Sequence, residues 1–381
     1  MKKIIFKKLS NEILTFFLIF SLALTLIVWV IQAVNYLDIV TEDGHSFGVY
    51  FNYTLMSLPK IFSQLLPFIF FLSVFYIINL YEEKNQLLVY WTHGITKKEF
   101  INKIIQFSFI FLILQLLLSL IIVPYTNNKS RSFIRSSTLD FFPNLIKPKK
   151  FIDTVENLTI FIDSKNKDGD YENIILKDIT NGNNIQTIIA QTGKIFSNDS
   201  KKVLLLNNGQ IIQTNIKKEI TIFNFEETQF DLSKYSSKTT KTAKIQEIDT
   251  LQILQCTKYL LDNLKKINTE FDNKLMMKNI NCEKSFLESL IQELFKRVYL
   301  PFFILLMGLT SSLLVLKSKN ASYYSTFKTV IFIIGVLFLI IPKLLINFTG
   351  SNYSNNLLFL LFPIFSYFLI YQYIHVKTKF N

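Results

Sequence analysis

The chain has 381 residues, half of them hydrophobic and 15% aromatic, with 38 phenylalanines and a formal net charge of +13. Phenylalanine-rich apolar runs of this length exclude an ordinary soluble domain and place the chain among membrane proteins. The positive charge does not point to nucleic acid, because lysine and asparagine are spread throughout and no basic patch is interleaved with stacking aromatics.

Lys2, Lys3, Lys7 and Lys8 precede an apolar run from Ile13 to about Tyr36. The run is too long for a signal peptide and lacks a small-residue cleavage site, so it predicts a first transmembrane helix. Further apolar runs cover residues 55–79, 101–123, 298–316, 326–346 and 357–374. Each is long enough to cross a hydrocarbon core of ~30 Å at 1.5 Å per residue. The short loops set the orientation. With the N-terminus inside, the lysine-rich segments around Lys84, Lys97, Lys98, Lys317, Lys319, Lys377 and Lys379 are cytoplasmic. The loops Asp38–Tyr50 and Asn347–Asn356, which hold no Lys or Arg, are external. Both termini are therefore expected in the cytoplasm and the long central segment outside.

Between the second and third runs lies Leu80–Phe100, too short and too charged to cross a membrane. Leu87, Leu88, Tyr90 and Trp91 fall at helical spacings and give a short helix an apolar face. Gly94 ends that helix, and Thr96 with Glu99 forms the T-x-x-E pattern that opens the next one. Two readings are open. The helix lies in the membrane interface and only anchors the loop, or it docks in a groove of a separate motor protein.

The central segment changes character. From Thr159 to Leu232 it reads as short strands broken by turns: Thr159–Asp163, Tyr171–Asp178, Ile185–Ala190, Val203–Leu206 and Gln210–Gln213. Asp168-Gly169, Asn181-Gly182 and Asn208-Gly209 supply the turn signals. The pattern predicts an antiparallel sandwich or jelly roll. Ser164–Gly169 is read as a hairpin turn and not a calcium loop, since Ser164 and Ile175 stand where the first and last acidic ligands would be. Inward side chains of Thr159–Asp163, Ile174–Leu176 and Ile185–Ile189 are expected to line an apolar slot, with Phe161, Ile175 and Ile188 as its markers. Leu251, Leu254, Leu261 and Leu264 keep helical spacing and predict a connecting helix from Gln246 to about Lys266.

The expected fold is an α+β membrane protein, six transmembrane helices in two groups of three with an inserted β-jelly-roll or sandwich domain. Its parts are residues 1–124 (helices one to three, with a coupling helix at 80–94), 125–245 (the β domain), 246–296 (a helical connector) and 297–381 (helices four to six). Cys256 and Cys282 lack metal spacing and read as structural or free thiols, with a disulfide left open. No metal or cofactor is expected. There is no phosphate-binding loop and no histidine between His93 and His375, so ATP hydrolysis or an external catalytic centre is not expected in this chain. Only Arg131, Arg135 and Arg297 among 41 basic residues are arginine, and all three flank the outer ends of the third and fourth helices. Guanidinium forks bind phosphate bidentately, so these are candidate phosphate contacts. For Arg297 the competing reading is a helical pair with Glu293.

Several pieces carry a family resemblance along essentially the full chain. They are Val28-Trp29 with Gln32, Leu37–Val40, Pro59, Leu66-Pro67, Gln86–Val89 and His93–Thr96. Leu158–Asp163, Ile188–Ala190, Leu206 with Gly209, and Glu293, Arg297 and Pro301 follow in order. In this order and topology the chain resembles the F/G permease family of the lipopolysaccharide-export (Lpt) ABC transporter, more the F subunit than the G. The resemblance implies a second, G-like permease subunit, a dimeric cytoplasmic ATPase and a periplasmic jelly-roll bridge. It also implies extraction of lipopolysaccharide from the inner membrane. It makes Glu82, Glu83, Gln86, Leu87, Tyr90, Trp91 and Gly94 the ATPase-coupling set and puts Gln32 on the lipid path. The family usually has a carboxylate where this chain has Gln86, a contact that Glu82 or Glu83 would have to carry. Exposing a lipid chain to water costs about 0.8 kcal/mol per CH₂, so extraction needs energy from a partner and a continuous apolar cover. The alternatives are a permease for another envelope lipid or lipoprotein, a membrane-anchored enzyme, and a sensor. The enzyme lacks a nucleophile with a base, and the sensor lacks an output domain.

Overall fold

The computed structural model describes residues 2–41, 45–136, 148–155, 157–166, 170–179, 184–198, 201–215, 219–232, 244–265, 276–277, 280–282, 284–350 and 353–379. Six helical segments are long and apolar enough to span a membrane: Lys2–Val40, Phe47–Glu83, Lys97–Ile134, Leu287–Leu316, Tyr324–Phe348 and Tyr353–Thr378. All six runs read from the sequence are present. They extend past the apolar stretches, because helices continue into flanking polar residues that can reach water. The described residues fall into two compact units. One comprises 1–30, 57–128 and 244–381, and the other 31–56 and 129–243.

The first unit is the helix bundle. Its helices are α1 (Lys2–Asn35), α2 (Leu58–Glu83), α3 (Leu87–Thr92), α4 (Lys97–Leu117), α5 (Thr250–Lys265), α6 (Leu287–Leu294), α7 (Phe303–Ser312), α8 (Tyr324–Leu345) and α9 (Tyr353–Lys379). Helix α7 is apolar or small on every side, and Phe303, Ile304, Leu306, Met307 and Leu309 are all buried, as expected of a helix at the centre of a bundle. It packs on α2, α4, α8 and α9. By contrast α1 buries only a narrow stripe, Phe6, Leu9, Ile13, Phe17 and Ser21, one residue per helical turn. Leu18, Ile19, Leu22 and Ile27 remain exposed on its other faces. Within the membrane such faces meet lipid tails or another membrane helix, not water.

Two features introduce polar groups into the bundle. Pro67 lies inside α2 and has no N–H for the carbonyl four residues back, Ser63. Gln115 of α4 supplies the missing donor, its Nε2 reaching Ser63 O at 3.0 Å and Ser63 Oγ at 3.1 Å. Secondly, π-helical turns interrupt the third and fourth spans at Leu118–Ile122 and Phe295–Tyr299. There the Ser119 hydroxyl donates to the Arg297 carbonyl at 2.7 Å, which satisfies a group displaced from the regular ladder.

Helix α5 forms the connector, with Ile253, Cys256 and Leu260 buried. The leucine stripe that suggested this helix is its exposed face, since Leu251, Leu254 and Leu261 point to solvent. Spacing found the helix but not its buried side, because two apolar stripes share it. Cys256 and Cys282 are joined in a disulfide, Cα atoms 5.9 Å apart. This resolves the open thiol question in favour of a cross-link. Replacing both cysteines with serine is expected to lower connector stability by about 2–4 kcal/mol. The readout is earlier protease cleavage around residues 250–265 of the purified chain. Equal cleavage rates for the oxidised protein and the double variant would contradict it.

The second unit is built on a six-stranded antiparallel sheet: β1 (Phe151–Val155), β2 (Leu158–Lys165), β3 (Tyr171–Asp178), β4 (Asn184–Asn198), β5 (Lys201–Asn215) and β6 (Ile220–Asp231). Each described strand pairs with its sequence neighbour, an up-and-down meander. Leu158, Ile160, Ile162, Ile174, Leu176, Ile188, Leu204 and Leu206 form its core on one face. Asn208-Gly209 is not a hairpin turn. It lies within β5, with Asn208 in the left-handed region at φ 49°. A Cβ on Gly209 would sit 2.2 Å from the Ile189 carbonyl oxygen and 2.6 Å from the Phe225 ring. Glycine is required there because the neighbouring strands approach too closely for a side chain, while the pairing register runs on unchanged. Asp168-Gly169 and Asn181-Gly182 lie outside the described residues.

Candidate functional site

The loop from α2 to α4 is built as its sequence directs at the ends. Gly94 adopts φ +67° after α3, and the Thr96 hydroxyl accepts from the Glu99 backbone N–H at 3.2 Å. The apolar face, however, is turned inward. Leu87 and Tyr90 are only 2% and 3% exposed, packed with Phe6, Tyr81 and Phe100 of the same chain. The Tyr90 ring lies 5.7 Å from Phe6 and 5.2 Å from Phe100, and its hydroxyl donates to the Ile5 carbonyl at 3.2 Å. Burial, reinforced by the Glu12 carboxylate, pushes the Tyr90 hydroxyl up to about 12, so it remains a donor at neutral pH. Trp91 is half-buried against Phe100. The side chains α3 presents outward are Leu88 and Val89, 56% and 46% exposed. The face assigned to a partner from spacing is therefore α3's anchor, and the adjacent edge is the open one. Helical spacing in a six-residue helix cannot tell these apart, since apolar residues occupy both sides.

The two acidic residues of this loop hold another loop of the chain. Glu82 Oε1 accepts from the backbone N–H of Lys319 at 2.7 Å. The Glu83 carboxylate accepts from Asn79 at 2.8 Å and Lys328 at 3.4 Å, and Lys319 Nζ donates to the Glu83 carbonyl at 3.0 Å. The segment preceding α8 is thus tied to the foot of α2. Gln86 stands half-buried at the start of α3, its backbone N–H donating to Tyr81 O at 2.8 Å.

Arg297 corrects the phosphate assignment. It is 3% exposed, and its fork is filled by this chain. Nε donates to Glu293 at 2.9 Å, Nη1 to Ile248 O at 2.8 Å and Thr250 Oγ1 at 3.0 Å, and Nη2 to Ile245 O at 3.3 Å and Gln246 O at 3.1 Å. A guanidinium has five N–H donors, and none is left for a ligand. The residue fastens the connector to the fourth span. The Glu293 pairing was visible as an i, i+4 spacing, whereas the three carbonyls come from a segment about fifty residues away. Arg131 is half-buried on the helix Val123–Ser136. Arg135 lies on the same helix, and its side chain is outside the described residues.

The slot markers in the sheet separate. Phe151, Phe161, Ile175, Ile189, Gln210 and Asn224 lie directly opposite one another across the strands. They form one row on the face away from the core, and Phe161, Ile175 and Ile189 line a shallow concavity there. Ile188 is on the core face and is buried. Strand alternation demands this, since residues 188 and 189 point to opposite sides. Gln32 is half-buried near the end of α1.

Sequence reasoning passed over a cavity of about 490 Å³ between the second, third, fourth and fifth spans. Following each helix inward, Lys60, Lys296 and Lys343 give way to Gln64, Gln115 and Ser119, then to Pro67, Phe303 and Met307. The available signal was polar side chains within apolar runs, which are costly in a membrane and therefore informative.

The chain is thus a multi-pass membrane protein in which a six-stranded sheet domain lies in sequence between two groups of three spanning helices. Over residues 8–376 it matches the model of the family described as lipopolysaccharide export system permease LptF/LptG, and it belongs to that family. It is also similar to an uncharacterized protein, RP871, of Rickettsia prowazekii (strain Madrid E), at 26% identity over 238 residues. That alignment covers 62% of this chain and 65% of the relative, a little under two thirds of its length.

Proposed function

We propose that this chain is a permease subunit that extracts lipopolysaccharide from the bacterial inner membrane and passes it toward a periplasmic bridge. A separate dimeric ATPase supplies the energy, and a second, G-like permease completes the membrane part. The observation that carries this reading is the family match running without a break through all six spans and the sheet between them. The exposed apolar faces of α1 and α9 leave surface for a second permease or for lipid. The Cys256–Cys282 disulfide supports a connector on the oxidising, periplasmic side. The opposite ends of the helices, with Leu88, Val89 and the lysines near the termini, then face the cytoplasm. Depleting the protein in its source cell should trap lipopolysaccharide at the inner membrane, and the tagged chain should co-purify with an ATPase and a related permease. Normal surface delivery after depletion would exclude this function.

In the sheet domain the reading places acyl chains on the open row of Phe161 and Ile175. Photo-crosslinkers at these positions are expected to capture lipopolysaccharide in an ATP-dependent way, while one at Ile188 captures little. Stronger capture at Ile188 would show instead that lipid enters between the core side chains.

A further inference from the structure

Helix α3 leaves two apolar side chains uncovered. Leu87 and Tyr90 point into the bundle, with the Tyr90 ring against Phe6 of α1 and Phe100 of α4. By helical spacing Leu88 and Val89 lie on the opposite side, and both are exposed. Since α3 rests on the ends of α1 and α4, this edge is turned away from the spans.

The charges around the edge are sorted by sign. The segment from α2 to α4 has carboxylates at Glu82, Glu83 and Glu99, and each already has a donor from another part of the chain. Glu82 accepts from the Lys319 backbone N–H at 2.7 Å, Glu83 from Lys328 at 3.4 Å and Glu99 from Lys2 at 3.2 Å. Lys97 is engaged as well, its Nζ donating to the Leu316 carbonyl at 3.3 Å. What is left over is cationic. Lys84, just before α3, and Lys98, just after its closing turn, are exposed, and among the described residues neither has an ion-pair partner. The contacts of Glu82 with Lys319 and of Lys97 with Leu316 hold the 316–319 loop against both ends of the segment. They bring a third exposed lysine, Lys317, beside α3. Its Nζ lies 4.7 Å from the Phe327 ring centroid, a contact that leaves the charge in place.

An exposed apolar pair flanked by cations selects its cover. A basic surface is rejected by like-charge repulsion, whereas carboxylates around an apolar groove seat the pair and match the lysines. The anionic headgroups of a membrane also attract lysine, but they lie level with the ends of the spans, and Leu88 and Val89 face away from those ends. We propose that the ATPase docks on this edge with an acidic rim, its carboxylates pairing with Lys84, Lys98 and Lys317 around the groove that takes Leu88 and Val89. This rests on the reading that an ATPase docks at α3, and it adds the charge of the docking surface.

The test uses the tagged full-length chain purified together with its ATPase. A carbodiimide joins an ammonium to a carboxylate only where the two touch, and mass spectrometry locates the linked peptides. Links from Lys84, Lys98 or Lys317 to Asp or Glu of the ATPase are expected. Recovery of the ATPase should fall as salt rises from about 0.05 M to about 0.5 M, over which the screening length shrinks about threefold. The Lys84→Glu, Lys98→Glu double variant should lower recovery about tenfold at the lower salt, while Lys84→Arg with Lys98→Arg keeps it. Protease-resistant chain, measured first, should be equal in all of these, because neither lysine holds another part of the fold. Leu88→Asp separates the two claims, since it strikes the apolar contact whatever the partner's charge. Lost recovery in Leu88→Asp, with wild-type recovery in the double Glu variant and no links to the ATPase, would leave the docking site standing and overturn the acidic rim. The lysines would then serve the membrane surface. Absence of any ATPase from the wild-type preparation would overturn both.

Discussion

Arg297→Ala is expected to destabilise the chain by about 3–5 kcal/mol, the cost of breaking a buried, fully hydrogen-bonded ion pair. The loss is large because the partners cannot rearrange toward water. Glu293 would be left with only Lys296 beside it, and the carbonyls of Ile245, Gln246 and Ile248 would each lose the donor that Arg297 supplies. Arg297→Lys tests the geometry separately from the charge. An ammonium is one compact point with three donors and cannot serve Glu293 and the 245–250 segment together. It should recover only part of the stability. The measurements are the melting temperature of the purified chain and the rate of proteolysis across residues 244–265. Unchanged melting and cleavage in both variants would contradict the anchoring role. A stable Arg297→Lys protein that no longer retains lipopolysaccharide would restore a phosphate contact at this residue.

What could be read without coordinates follows a physical line. Spanning helices announce themselves, since about twenty consecutive apolar residues have few other uses, and all six were legible. Strand β3, Tyr171–Asp178, was legible to the residue because turn signals border it on both sides. Strand β1 was not, being short and mostly paired to one neighbour. Asn208-Gly209 misled, because an Asn in the left-handed region followed by Gly also occurs within a long paired strand, and only strand pairing decides between that and a turn. Burial was the least legible property. Leu251, Leu254 and Leu261, the slot markers and α3 all have apolar residues on more than one side, and period alone does not choose the buried one. Contacts distant in sequence, such as the carbonyls around Arg297, leave no local trace.

Leu88→Asp is expected to abolish recovery of the ATPase by the tagged chain while leaving the protein inserted and folded. The side chain is exposed beside Val89 on a helix whose other face is fixed, so the charge costs the fold little. At a docked interface the same change strikes an apolar contact. Loss of one central anchor there costs about 2 kcal/mol or more, a fall in affinity of roughly thirtyfold. Leu87→Asp should behave in the opposite order. It places a carboxylate among Phe6, Tyr90 and Phe100 with no partner, and the expected result is little folded protein at the membrane. Trp91→Asp, half-buried on Phe100, should fall between the two. Quantifying folded chain first, by resistance to protease in isolated membranes, keeps the two effects apart. ATPase recovery at the wild-type level in a Leu88→Asp, Val89→Asp double variant would show that this edge of α3 is not where the motor docks. The remaining contacts would then have to come from elsewhere on this face, where Glu82 already accepts from the Lys319 backbone N–H and Glu83 is paired with Lys328.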